Sequence, residues 1–138
     1  YCGVGLFGLW LAAESPETAV VGIEVDPLAI EAAEATAAEW GLSNCRFVAR
    51  PAEKALGELP EVDLVIVDPP RSGLDEKLLR SLIERGPRGF VYVSCEPSTL
   101  ARDLKILPEG GYAVRSVEVF DFFPQTYHVE SLAFLEKC

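Results

Sequence analysis

Short runs of apolar residues alternate along the chain with longer segments whose apolar side chains recur at helical spacing. Four runs are rich in β-branched residues and have strand length; they cover residues 19–26, 45–50, 62–68 and 89–95. Three of the four are nearly continuous in apolar residues, which is typical of strands buried on both faces of a parallel sheet. With helical segments between them, the pattern predicts a Rossmann-like α/β fold with a mostly parallel sheet in one domain, residues 1–138.

The helical segments carry their own start and stop signals. Asp26 is suited to be an N-cap, Pro27 to be the first helical residue, and Gly41 to end that helix. Residues 75–86 repeat leucines at i, i+4 with charged side chains between them, which indicates a helix covering the sheet. A further helix is predicted at residues 98–107.

Two more apolar runs, at residues 112–123 and 130–138, predict the last two strands. The stretch PQTYHV between them is too short for a helical crossover. We therefore expect the last strand to be antiparallel to its neighbour.

The chain opens on a Gly-rich turn, YCGVGLFG, that enters a helix without a strand before it. In a doubly wound fold such a turn follows the first, central strand. We therefore expect the chain to have been cut from a longer protein just after that strand.

Composition narrows the classes of protein and partner. Of the 138 residues, 49% are hydrophobic, enough for a sizeable core, and no membrane span or signal peptide is recognisable, so we expect a cytoplasmic protein. The four cysteines form no C-x-x-C pair and there is one histidine, so no metal site is predicted. The net charge of −10 argues against this chain alone gripping a phosphate backbone. Residues 71–105 are the exception, with seven basic against five acidic side chains.

The Gly-rich turn is the first candidate site. Gly3, Gly5 and Gly8 match G-x-G-x-x-G, in which glycines allow positive φ angles and close approach of the backbone to a ligand. A tight turn packed for its own sake would also use them. Glu24, near the end of the next strand, favours the ligand interpretation because a carboxylate there can accept hydrogen bonds from both ribose hydroxyls of a nucleoside cofactor.

The stretch DLVIVDPPRSGLD is the second candidate site. Its strand ends in Asp68, and Pro69 and Pro70 stiffen the exit at the edge of the sheet where α/β folds place their sites. A plain proline-containing loop is the alternative. Methyltransferases acting on exocyclic amines carry an aromatic residue after the two prolines, whereas this chain has Arg71, which disfavours that chemistry.

The stretch FVYVSCEPSTLARD is the third. A cysteine in a strand is ordinarily buried and inert. Cys95, however, ends its strand, and Pro97 and Ser98 are good starters for the next helix, whose positive end would favour a thiolate. Cys95 is thus a candidate nucleophile.

The stretch FDFFPQTYHVES is the fourth. Glu130 lies where the apolar last strand begins, either as a solvated strand end or as a functional carboxylate. We interpret His128 as a positioning or packing residue and do not assign it as a base.

Together, YCGVG, DPPRSG, SCEPSTLARD and FPQTYHVES, in this order and spacing, resemble the S-adenosylmethionine-dependent RNA uracil-5 methyltransferases, which modify tRNA or large-subunit rRNA. The resemblance covers essentially the whole chain, as the C-terminal catalytic domain of that family. It implies a class I methyltransferase fold, S-adenosylmethionine as cofactor and RNA as partner. In that family, further N-terminal domains, absent from this chain, contribute to RNA binding.

The resemblance also implies roles for individual residues. Cys95 is expected to be the nucleophile and Glu130 the base that removes the proton from uracil C5. Substrate contacts are expected from Asp68 and Arg71. Cofactor contacts are expected from Tyr1, Gly3, Gly5, Glu24 and Asp68.

Two alternatives stay open. An RNA cytosine-5 methyltransferase usually carries a second cysteine after the two prolines, where this chain has Arg71. A catalytically silent module that binds S-adenosylmethionine or a protein partner would need neither Cys95 nor Glu130.

Overall fold

The computed structural model describes residues 1–138 and contains six strands and five α-helices. The helices are α1 (Leu6–Glu14), α2 (Pro27–Glu39), α3 (Ala52–Ala55), α4 (Glu76–Arg85) and α5 (Pro97–Asp103). The strands are β1 (Val20–Glu24), β2 (Cys45–Ala49), β3 (Leu64–Val67), β4 (Gly89–Ser94), β5 (Tyr112–Phe120) and β6 (Glu130–Lys137). None of the helices is long and apolar enough to cross a membrane.

The strands form two hydrogen-bonded sheets, and the chain divides into two compact units, residues 1–58 and 59–138. In the first unit β1 and β2 pair in parallel. In the second the order is β3-β4-β6-β5, with β3 parallel to β4. Strand β6 is antiparallel to β5, as its short connection predicts, and it is also antiparallel to β4.

The first unit is built around the inner faces of α1, α2 and the β1–β2 sheet. Leu9, Ile30, Ala33, Ala37 and Phe47 form its buried cluster. The predicted cap is present, since the Asp26 side chain accepts a hydrogen bond from Leu28 N at 2.9 Å. Helix α1 begins directly after the Gly-rich turn, and α2 begins just after the carboxyl end of β1. A cofactor site is expected at this edge of the sheet in a doubly wound fold.

The second unit buries aromatic side chains of β4 and leucine side chains of α4. Phe90 and Tyr92 of that strand are 1% and 0% exposed, and Leu79 of α4 is 0% exposed. Helix α4 starts at Asp75, whose side chain accepts from Lys77 N, and ends at Gly86 with φ +68°. Such complete burial fixes the position at which β4 ends, and hence that of Cys95.

Three elements differ from the sequence-based prediction. The short helix α3 was not predicted because four residues are too few to show a periodic pattern. The helix predicted at 98–107 begins at Pro97 and ends at Asp103, and a 3₁₀ turn follows at Leu107–Gly110. Strand β5 ends at Phe120 instead of continuing to residue 123.

Candidate active site

The glycines of the first turn serve different purposes. Gly3 has φ +51°, and a methyl group in place of its hydrogen would meet nothing within 4 Å, so the backbone here is open to a ligand. Gly5 has φ +82°, and a Cβ there would lie 2.9 Å from Phe47 Cε1. At Gly8 a Cβ would approach Val20 Cγ1 to 3.0 Å, so close packing of α1 on β1 favours glycine there. Of the three, Gly3 is the one whose exposed backbone suits ligand contact.

Glu24 holds this turn against the end of β1. Its Oε2 accepts a hydrogen bond from Gly3 N at 3.1 Å, and its Oε1 accepts from Val25 N at 2.7 Å and Asp26 N at 3.3 Å. Burial opposes ionisation, but the three backbone N–H groups outweigh it and lower the pKa of Glu24. The carboxylate is therefore ionised at neutral pH and uses three of its roughly four acceptor positions inside the chain.

A pocket of about 170 Å³ lies beside Glu24 in the first unit. Its lining comprises Tyr1, Glu24, Val25, Arg50, Pro51, Ala52 and Glu53. Ligand pockets are typically about 300–1,000 Å³, so this one would hold part of a nucleoside cofactor. Tyr1 Oη lies 3.4 Å from Glu53 Oε1, which links the two sides of the pocket. Residues 50–53 form one wall of the pocket, although this stretch matches no binding motif in the sequence.

In the second unit, the strand register determines which candidate residues meet. Ser94 of β4 pairs with Ser131 of β6 in the last pair of this antiparallel ladder, so Cys95, the residue after Ser94, and Glu130, the first residue of β6, both adjoin that pair. Both residues are half-buried.

Asp68 reaches the same edge from the other side of β4. Val67 pairs with Tyr92 in the parallel β3–β4 register, so Asp68 follows one step later at the carboxyl end of β3. Although the residue as a whole is exposed, protein atoms around the carboxyl partly desolvate it, and this burial raises the pKa of Asp68. The edge thus carries a thiol and two carboxyl groups on three adjacent strands.

Arg71 and His128 meet above this edge. Arg71 Nη2 lies 3.2 Å from His128 Nδ1. Since a guanidinium only donates, this contact is a hydrogen bond in the tautomer whose Nδ1 carries no proton. The His128 ring also contacts Tyr127, with ring centroids 4.3 Å apart.

The turn after Cys95 is held by hydrogen bonds between Glu96 and Ser98, of which the sequence predicted only the involvement of Ser98. Glu96, rather than Ser98, is the N-cap of α5: its Oε1 accepts from Ser98 N at 3.3 Å and from Ser98 Oγ at 2.8 Å. The Ser98 hydrogen bonds lower the pKa of Glu96. Glutamate is not among the preferred N-cap residues, so the sequence pattern favoured its neighbours. No group of three or more His, Cys, Asp or Glu side chains could hold a metal ion.

This arrangement can be compared with known proteins. The family model for tRNA (uracil-5-)-methyltransferases matches residues 1–138. The chain belongs to this family. The match confirms the resemblance carried by the four sequence motifs.

Relatives within and near the family support the fold assignment. The crystal structure of Pyrococcus abyssi tRNA (uracil-54, C5)-methyltransferase in complex with S-adenosyl-L-homocysteine superposes with a TM-score of 0.85 at 37% identity, covering 98% of this chain and 32% of that one. The structure of TrmN from Thermus thermophilus gives 0.76 at 26% identity, covering 100% of this chain and 42% of that one. The predicted Rossmann-like methyltransferase fold is thereby confirmed.

The curated relatives are longer than this chain. An uncharacterized RNA methyltransferase of Enterococcus faecalis is 47% identical over 141 residues, which covers 99% of this chain and 30% of the relative. One from Gloeobacter violaceus is 47% identical over 137 residues, covering 99% and 29%. The chain thus spans about a third of the length of the family members it matches.

Proposed function

We propose that this chain is the catalytic domain of an enzyme that transfers a methyl group from S-adenosylmethionine to C5 of a uridine in tRNA or rRNA. The observation that carries the proposal is the register of β4, β6 and β3, by which Cys95, Glu130 and Asp68 follow or begin adjacent strands at one edge of a sheet. A thiol beside a carboxylate is the pair that this chemistry needs. Membership of the uracil-5 methyltransferase family supports the choice of substrate atom.

The residues of the first unit fit S-adenosylmethionine. Glu24 is an ionised carboxylate at the end of β1, the position from which ribose hydroxyls are bound in this fold class. Gly3 leaves the backbone open beside it, and Tyr1 lines the adjoining pocket. The related archaeal enzyme was crystallised with S-adenosyl-L-homocysteine, the demethylated form of this cofactor. When bound, S-adenosylmethionine supplies an electrophilic methyl group.

Uracil C5 is a weak nucleophile and needs activation. In the proposed reaction the Cys95 thiolate adds to C6 and forms a covalent C–S bond, which moves electron density onto C5 and the O4 enolate. After C5 has gained the methyl group, Glu130 removes the C5 proton. The electron pair of that C–H bond restores the C5–C6 double bond and expels the Cys95 thiolate.

Asp68 and Arg71 are proposed to contact the target base, which must leave the RNA stack to reach Cys95. Asp68 has a carboxyl group for the polar edge of uracil, and Arg71 has an exposed guanidinium that can donate to a carbonyl or a phosphate. Asp68 is also proposed to contact the cofactor. Because the chain carries a net charge of −10, most RNA affinity is proposed to come from segments of the intact protein outside residues 1–138.

The test uses the intact protein with unmethylated tRNA and 23S rRNA transcripts. We expect 5-methyluridine in the product RNA by mass spectrometry, and with 5-fluorouridine transcripts a protein–RNA adduct that survives denaturation. Cys95→Ala should abolish both signals. Cys138→Ala is the matched control, because Cys138 is an exposed free thiol at the other end of the same sheet and should leave both unchanged.

Glu130 is tested separately. With ordinary RNA, Glu130→Gln should accumulate the methylated adduct, because proton removal precedes release of the thiol. Glu136→Gln on the same strand, which loses only an exposed ion pair with Arg115, should turn over normally. Formation of 5-methylcytidine, absence of any methylated product, or an adduct that persists in Cys95→Ala would refute the proposal.

A further inference from the structure

The loop between β3 and α4 is anchored to helix α5 through its backbone. Thr99 Oγ1 lies 3.0 Å from Arg71 O, and Arg102 Nη2 donates to Ser72 O at 3.0 Å and to Leu74 O at 3.2 Å. Within the loop itself Gly73 N donates to Pro70 O at 2.8 Å. The three carbonyls bound by α5 belong to Arg71 or to its near neighbours.

A buried carboxylate completes this anchor. Asp103 is 1% exposed. Its Oδ2 accepts from Leu74 N at 2.9 Å and from Tyr92 Oη at 2.5 Å, and its Oδ1 accepts from Arg102 Nε at 2.8 Å. Burial and the hydrogen bond to Asp103 raise the pKa of Tyr92, so its hydroxyl remains a donor. An isolated buried carboxylate is costly, so this set of donors holds Asp103 and the loop together.

The fit between loop and helix leaves no spare room. Gly73 has φ +74°, and a Cβ there would lie 2.6 Å from Arg102 Nη2 and 2.7 Å from Asp103 Oδ2. The loop can therefore approach α5 this closely only with glycine at this position.

The same helix also fixes the turn that bears Cys95. Ser94 Oγ accepts from Glu96 N at 3.1 Å and donates to Glu96 O at 3.0 Å. Thr99 Oγ1 lies 3.1 Å from Glu96 O, almost the same distance as from Arg71 O. One hydroxyl proton is thus shared between the backbone next to Cys95 and the backbone of Arg71.

We propose that Thr99 and Asp103 are positioning residues, which hold Arg71 at a fixed place relative to Cys95 for the methyl-transfer reaction. The inference rests on the proposed function. Neither residue contacts the reacting atoms; each acts through the loop backbone. Anchoring the backbone at and after Arg71 limits the positions that its guanidinium can take and so preorganises it for substrate.

Thr99 provides the cleanest test because valine has the same shape without the hydroxyl. In the intact protein, Thr99→Val should lower kcat on the transcript that the wild type methylates by roughly three- to tenfold, the usual worth of one hydrogen bond. It should slow 5-fluorouridine adduct formation equally. Thr99→Ser keeps the hydroxyl and should stay within about twofold of wild type.

A double-mutant cycle separates positioning from a general structural role. If Thr99 acts through Arg71, adding Thr99→Val to Arg71→Ala should change kcat no further. S-adenosylmethionine affinity should be equal in all variants. Asp103→Asn should reduce kcat more strongly and lower the melting temperature, since it weakens three hydrogen bonds at once. If the Asp103→Asn protein does not fold, the comparison of Thr99→Val with Thr99→Ser decides the question.

Two results would overturn the inference. One is a Thr99→Val enzyme as active as wild type, and the other is a Thr99→Val effect of the same size with and without the Arg71 side chain. An inactive wild type would instead refute the proposed function, so the two failures are distinguishable.

Discussion

Substitution of Glu24 gives a quantitative test of how its carboxylate holds the Gly-rich turn at the start of the chain. Glu24→Gln keeps the shape of the side chain but replaces one carboxylate oxygen by an NH₂ group. The amide oxygen can stay with Val25 N and Asp26 N, at 2.7 and 3.3 Å, which turns the NH₂ toward Gly3 N, now 3.1 Å from a donor instead of an acceptor. One hydrogen bond to a charged group is lost.

The magnitude follows from that single bond. Hydrogen bonds to charged groups contribute about 1.5–3 kcal/mol, and partial exposure of Glu24 reduces this to about 1 kcal/mol. Local opening of residues 1–26 should then become roughly fivefold more frequent. S-adenosylmethionine affinity should fall by about tenfold, because the amide oxygen, already bonded to Val25 N and Asp26 N, has no acceptor position left for a ribose hydroxyl.

The pH dependence gives a second, independent check. Since the folded-state pKa of Glu24 lies below its ordinary value of 4.5, its contribution is fully present above about pH 4.5 and is lost as pH falls through the folded pKa. The variant lacks this contribution at every pH. The difference between wild type and Glu24→Gln should therefore shrink on acidification.

Amide hydrogen exchange of the intact protein, read in peptides covering residues 1–26, measures the effect where it arises. Glu31→Gln on the exposed face of α2 is the control and should exchange like wild type. Equal exchange of Glu24→Gln and wild type at pH 7, or a difference that stays constant down to pH 3, would contradict the proposed role of the carboxylate.

Two further predictions concern local structure. Gly5→Ala should lower the free energy of unfolding by about 2–5 kcal/mol, since it adds a clash with Phe47 to the unfavourable positive φ. Gly3→Ala should lower the free energy of unfolding by only about 1–2 kcal/mol, but it should weaken S-adenosylmethionine binding. Urea unfolding and cofactor titration separate the two, and equal destabilisation would argue against the packing explanation. Asp75→Ala should cost about 1 kcal/mol by removing the cap of α4, while Asp75→Asn should cost less; identical unfolding midpoints for Ala and wild type would reject the capping role.

The sequence by itself determined the order and type of the main elements. Strand formation follows from continuous apolar runs, and capping of α2 by Asp26 follows from local hydrogen bonding, so both can be predicted from the sequence alone. The motifs around Gly3, Asp68, Cys95 and Glu130 likewise identified the family, because residue type and spacing are properties of the chain. The roles assigned to those residues remain predictions.

Only the tertiary structure decided how separate motifs meet. Cys95 and Glu130 are 35 positions apart in the sequence, and both adjoin the Ser94–Ser131 pair only because of the antiparallel register of β4 and β6, which a shift of one residue would change. The contact of Asp103 with Tyr92 and Leu74 was equally invisible, since a polar residue at a helix end is ordinarily solvated. Because burial removes water from the Asp103 carboxylate, the backbone N–H of Leu74 donates to it in place of water.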